Sequence, residues 1–246
     1  MRGSPDGVHG FPSQHGAAAR QSARHERITA DTRRNHVLPD CSFPPFDPPR
    51  WLRNPHVQTL LASYRPRRLG YGWKDWEPIE FDLGKEGRLL GEASWQPGER
   101  ADSPVLFLMH GLEGCARSHY LMGMSKKAFA RGFHTIRVNT RNCGGTEHLT
   151  PTLYCAGLSQ DLLAIVTHLK DKLGLYEIYA AAVSLGANML LKFLGEQGSN
   201  GLDYLRAAAV ISPPIDLALG VRKMSEPSNW VYQRHFVRKL VERMRR

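Results

Sequence analysis

Between Tyr176 and Asn188 the sequence reads YEIYAAAVSLGAN, a buried-type strand that runs without a linker into a helix. No other stretch restricts the fold so tightly. A strand that turns straight into a helix must fold that helix back onto its own sheet, so both backbones pass close together at the corner. The corner residue is Ser184, and the positions two before and two after it, Ala182 and Gly186, are small enough to allow that approach.

The neighbouring segments keep the same rhythm. WEPIEFDLGKEGRLLGEASWQ reads as two alternating strands around the turn Gly84–Gly87, a hairpin at a sheet edge. SPVLFLMHG is a short apolar run closed by glycine, which suits a strand buried on both faces. Then come a helix over Ser118–Arg131, the strand FHTIRVN, and a helix over Leu158–Leu173 with Leu158, Leu162, Val166, Leu169 and Leu173 on one face. The corner strand and a helix over Leu185–Glu196 follow, with Leu185, Met189, Leu190 and Phe193 inward, and then the strand LRAAAVISPP. Strands that alternate with helices imply crossovers, hence an α/β fold with a mostly parallel sheet and helices on both faces.

Composition bounds the rest. Residues 1–40 hold Gly, Ser, Arg and His with almost no large apolar side chain, so they are expected to be a disordered extension. FPPFDPPRWLRNPHVQTL reads as an extended arm ending in a short helix that packs on the domain surface, and residues 41–246 as one domain. No apolar run approaches the roughly 18 to 20 residues of a membrane span, and no secretory leader is evident, so a soluble cytoplasmic protein is expected. The four cysteines, Cys41, Cys115, Cys143 and Cys155, lack metal-binding spacing, and no metal, cofactor or disulfide framework is expected. The formal charge is +10, but residues 222–246 alone carry eight Lys or Arg against two acids. Nucleic-acid binding ranks last, because no basic groove with interleaved aromatics appears.

Three corners carry chemistry. A serine hydroxyl becomes a nucleophile only when it is held exposed beside a base, and a sharp strand-to-helix turn does the holding, so Ser184 is the candidate nucleophile. The competing reading is a serine that caps its helix. The second corner, His110-Gly111-Leu112-Glu113-Gly114, follows the strand VLFLM and offers the backbone N–H of Leu112 to an oxyanion, with that of Leu185 as the second donor. His110 comes too early in the chain for the usual base and is read as structural. The third corner is Asn139–Gly145, where Arg141 is read as a structural ion-pair partner and Cys143 as a packing residue.

Together these pieces resemble the YheT-like α/β-hydrolase-fold esterases over about Phe46–Leu240. The matching segments are RNPHVQTLLAS, HGLEG followed by Ser118 and Tyr120, NTRNCGG, Tyr154 with Gly157, Asp161-Leu162, the run from VSLGAN to FLGEQG, and SPPIDL. The resemblance implies hydrolysis of carboxylic esters, of small molecules or lipids, by a Ser-Asp-His triad without metal or organic cofactor. The sequence departs from that pattern at Ala182, Ala187, Asn142 and Cys155-Ala156. It also reaches Arg246 before the family's acid and histidine, which implies a hydrolase fold lacking its last strands, with residues 213–246 as a cap or lid.

Within the chain, Asp216 and His235 are the remaining candidates for acid and base. His235 falls in NWVYQRHFVRKLVERMRR, an amphipathic helix with Trp230, Phe236, Leu240 and Met244 along one side. That basic helix also suits peripheral contact with an anionic membrane. Two functions therefore stand side by side: an ester hydrolase built on Ser184, and a remnant or binding module that keeps the pocket without its base. A sheet ending after AAAVIS would expose an edge and favour association.

Overall fold

The computed structural model describes residues 45–64 and 76–245, which fall in two compact units, Met1–Arg65 and Pro66–Arg246. The extension expected over residues 1–40 lies outside the described residues. In the first unit a single 3-10 turn, Arg50–Leu52, precedes helix α1, Pro55–Tyr64. Asn54 starts that helix: its side-chain oxygen accepts the N–H groups of His56 and Val57 at 2.9 and 3.3 Å.

In the second unit the expected hairpin forms from β1, Glu77–Asp82, and β2, Arg88–Ser94, in antiparallel register. Next come β3, Val105–Met109; α2, His119–Phe129; β4, His134–Val138; and α3, Ser159–Thr167. The chain continues through β5, Ile178–Val183; α4, Leu185–Gln197; the short α5, Gly201–Tyr204; and β6, Ala207–Ile211. Helices α6, Leu217–Met224, and α7, Trp230–Met244, complete the described residues. The strands form one six-stranded sheet in the order β1-β2-β4-β3-β5-β6, parallel from β4 to β6.

Successive side chains of a strand point to opposite faces, and β3 uses both. Val105, Phe107 and Met109 join the larger core with Leu162, Ile165, Val166 and Leu169 of the α3 segment and Met189, Leu190 and Phe193 of α4. Leu108 and half-buried Leu106 face the other way, onto Leu121 of α2 and Ala181. Helices thus cover both faces of the sheet, as the strand–helix alternation requires. Strand β6 is the sheet's last, and Ala207, Ala208 and Ala209 on it are exposed.

The structure departs from the sequence reading in three elements. The helix expected over Leu158–Leu173 widens after Thr167 into a π-helical turn, His168–Lys172, which keeps Leu169 buried while Leu173 still packs on the core. Helix α6 follows SPPIDL, where the sequence suggested only a cap segment. Helix α7 forms where an amphipathic helix was expected, but it turns differently about its axis: Trp230 and Met244 are exposed, while Phe236, Leu240 and Arg243 are half-buried. No helix among the described residues is long and apolar enough to cross a membrane.

Candidate functional site

Ser184 sits between the last residue of β5 and the first of α4 with φ 54° and ψ −119°. That backbone conformation is costly for any residue with a Cβ, and strain of this kind persists only where the surroundings enforce it. Two hydrogen bonds do so: Ser184 N–H donates to Ile211 O at 2.8 Å, tying the corner to the end of β6, and Ser184 O accepts from Asn188 N–H at 3.0 Å. The Asn188 side chain in turn donates to Pro214 O at 2.8 Å, which holds the segment after β6 beside the corner. Ser184 makes no side-chain capping hydrogen bond to α4.

The loop after β3 lies against this corner, and two glycines permit it. A Cβ on Gly111 would stand 2.9 Å from Ser184 Cβ, and one on Gly186 would stand 2.5 Å from His110 O. Neither position tolerates a side chain without backbone movement. Along the same loop the N–H groups are assigned one after another. Gly111 N–H donates to the Tyr120 hydroxyl at 3.0 Å, Glu113 N–H to the Tyr154 hydroxyl at 2.8 Å, and Gly114 N–H to Gly111 O at 3.0 Å. Between them the N–H of Leu112 finds no acceptor among the described residues, nor does that of Leu185, the first residue of α4. Two unengaged backbone donors thus adjoin the corner in sequence, Leu112 after Gly111 and Leu185 after Ser184, the second at the positive end of a thirteen-residue helix.

His110 is buried, and both ring nitrogens are engaged. Nε2 accepts the N–H of Thr140 at 3.1 Å, which leaves the proton on Nδ1, donated to Gly111 O at 2.8 Å. Burial drives its pKa down to about 4, so the ring stays neutral. With its lone pair occupied, His110 is a strut between the loops after β3 and β4, in line with the structural reading.

The loop after β4 is held by Arg141. Its guanidinium spans both carboxylate oxygens of Asp161 on α3, at 2.6 Å from Nη2 and 2.9 Å from Nε, and also reaches Glu86 at 2.9 Å and Thr152 at 2.6 Å. The hydrogen bonds and charge of Asp161 outweigh burial and raise its pKa further. Cys143 is buried, with its thiol pushed up to about 11 chiefly by burial, so it is a packing residue rather than a nucleophile.

Asp216 and His235 make other contacts than with Ser184. The Asp216 carboxylate accepts the N–H of Leu219 at 2.8 Å, which makes it the N-cap of α6. His235 lies exposed on α7, its ring edge-on to Phe236 with centroids 5.5 Å apart, an ordinary aromatic contact. Neither hydrogen-bonds to Ser184 or to the other. No group of three or more His, Cys, Asp or Glu side chains suited to a metal ion occurs among the described residues.

One cluster beside the loop was not anticipated as a unit. Glu113, with φ 56°, accepts a bidentate contact from Arg243 of α7, Nε to Oε1 at 2.8 Å and Nη2 to Oε2 at 2.9 Å. The Tyr154 hydroxyl donates to Glu113 Oε1 at 3.0 Å, and Arg243 also donates to the carbonyl of Asn142. Nothing local in the sequence marks this cluster, because its members come from loops after β3 and β4 and from the final helix.

A family model described as alpha/beta hydrolase fold matches residues 104–244. The chain is 32% identical over 157 residues to the embryogenesis-associated protein EMB8 of Picea glauca, covering 61% of this chain and 34% of that protein. It is 29% identical over 194 residues to the putative esterase YheT of Escherichia coli strain K12, covering 78% of this chain and 55% of that protein. The chain therefore spans from a third to just over half the length of these relatives. Among solved structures, the Pyrococcus furiosus esterase Pf2001 superposes with a TM-score of 0.51 at 20% identity, over 64% of this chain and 60% of that one, a likeness of fold.

Proposed function

Because the chain belongs to the alpha/beta hydrolase fold family, we propose that it is a carboxylic ester hydrolase acting on a small-molecule or lipid acyl ester. Ser184 Oγ gives up its proton to water as it adds to the acyl carbon, and the carbonyl oxygen becomes an oxyanion between the N–H groups of Leu112 and Leu185. Collapse expels the leaving oxygen, which takes a proton back as the alcohol, and water then hydrolyses the acyl ester on Ser184 to the free acid and restores the hydroxyl. The carrying observation is a strained serine corner next to two unengaged backbone donors, Leu185 directly after it and Leu112 directly after the Gly111 that packs on it. Preorganised donors of this kind are worth roughly 10²- to 10³-fold each in rate, because they meet developing charge without reorganising. The relative named as a putative esterase supports the choice of ester over other acyl compounds. We place the chain in the cytoplasm, for which the unpaired Cys115, Cys143 and Cys155 are the support.

A second reading has its own observation. No imidazole or carboxylate hydrogen-bonds to Ser184 among the described residues, and His110 has no lone pair to offer. A chain with the oxyanion donors but no base is a binding module, or retains a residual acceleration of about 10³-fold from its oxyanion hole and binding alone.

Intact-mass detection of fluorophosphonate labelling on monodisperse protein, with Ser184→Ala as control and p-nitrophenyl butyrate turnover alongside, separates them. Labelling and turnover that both vanish in Ser184→Ala are the expected result. A folded wild-type chain that takes no label would leave the binding module standing and the hydrolase reading refuted.

A further inference from the structure

The Leu112 N–H is useful only if the loop that carries it is fixed; hydrogen bonds from Gly111, Glu113 and Gly114 hold its main chain, and one side chain ties it from outside. Glu113, the next residue, holds φ 56° without being glycine, a strained conformation that its surroundings must enforce. Its carboxylate is tied by Arg243 through two parallel contacts and by the Tyr154 hydroxyl. Both side chains of the ion pair are largely sequestered, 11% exposed for Arg243 and 5% for Glu113. Arg243 also reaches Asn142 O, in the loop after β4, where Asn142 has φ 57°. One guanidinium thus spans two strained loops at the carboxyl ends of the parallel strands. The helix that delivers it has no fully buried residue, so α7 contributes little to the core.

We infer that Arg243 is a positioning residue, which clamps Glu113 and thereby sets the Leu112 N–H toward Ser184, making the oxyanion hole dependent on the docking of α7. The inference rests on the ester-hydrolase reading for its kinetic consequence, but the clamp has a consequence of its own. Burial of Glu113 opposes its ionisation, yet the hydrogen bonds from Arg243 and Tyr154 outweigh it and hold the carboxyl below its ordinary range. An unpaired Glu113 would have to turn toward water, and the loop would turn with it.

The test compares wild type, Arg243→Gln, Arg243→Lys and Glu113→Gln in the full chain, by fluorophosphonate labelling rate and by amide hydrogen exchange. Arg243→Gln should slow labelling about ten- to a hundred-fold, the scale expected when a reacting geometry is displaced rather than removed. It should also speed exchange in peptides covering residues 111–114 while β3 and β5 stay protected. Arg243→Lys, which keeps the charge but not the two-pronged contact, should recover part of both. Glu113→Gln should behave as Arg243→Gln does, which guards against an effect confined to α7. Unchanged exchange at residues 111–114 in both Arg243→Gln and Glu113→Gln would overturn the clamp, whatever happens to labelling. Faster exchange at residues 111–114 in both variants, beside a folded wild type that takes no label, would uphold the clamp and overturn the nucleophile instead.

Discussion

At Ser184 the chain accepts a backbone that glycine would adopt without strain. With φ 54° and ψ −119° the serine pays for its position above the sheet, and sparsely populated conformations of this kind cost of order 1–3 kcal/mol. Ser184→Gly should therefore raise stability by about 1 kcal/mol in urea denaturation at fixed pH. Ser184→Ala, which keeps the Cβ, should not. Equal stabilisation by both would mean that the side chain, and not the backbone, carries the strain. The corner was legible because its requirements are local: small residues two positions either side of a serine, a strand before and a helix after. Gly111 was legible only as part of a glycine-flanked loop, since its reason, a Ser184 Cβ that would stand 2.9 Å from its own, joins distant segments.

Among the elements, hydrophobic period placed the strands and the longer helices, and served the short helix after β6 less well. Helices α2 and α4 present regular inward faces and form where expected. Helix α6 buries no residue and was read only as part of a cap segment, and Asp216 was weighed as a triad acid when its local work is to cap that helix. The first-turn geometry, an aspartate three residues before the N–H it accepts, was the available signal. Arg141 joins the loop after β4 to α3, and its partner Asp161 has a side chain only 1% exposed. Arg141→Met strands that carboxylate and should cost about 3–5 kcal/mol in urea unfolding, whereas Arg141→Met combined with Asp161→Leu should recover most of the loss. A double variant no better than the single one would show that the pair matters for reasons other than the buried charge.

The whole molecule should lose stability in mild acid through its histidines. Burial holds His110 at about 4, and His134 and His168 are lowered in the same direction for the same reason. The unfolded chain takes up protons below about 6.5 while the folded chain resists, so stability is full above that pH and falls as the pH drops toward 4. For His110 alone the loss amounts to about 3 kcal/mol across that window. Urea midpoints at pH 7 and pH 4.5 measure it. His110→Gln should be less stable at pH 7, having lost its strut, yet show a shallower fall between the two. A variant that falls as steeply as wild type would move the acid sensitivity elsewhere.

The ion pair between Glu113 and Arg243 links residues 130 positions apart. Closing so long a loop is slow relative to pairing neighbours, and sheet and helix packing can proceed without it. A refolding chain is then expected to assemble its core before this pair closes. Order in the loop beside Ser184 should come late, so chemical competence should trail the recovery of secondary structure in time.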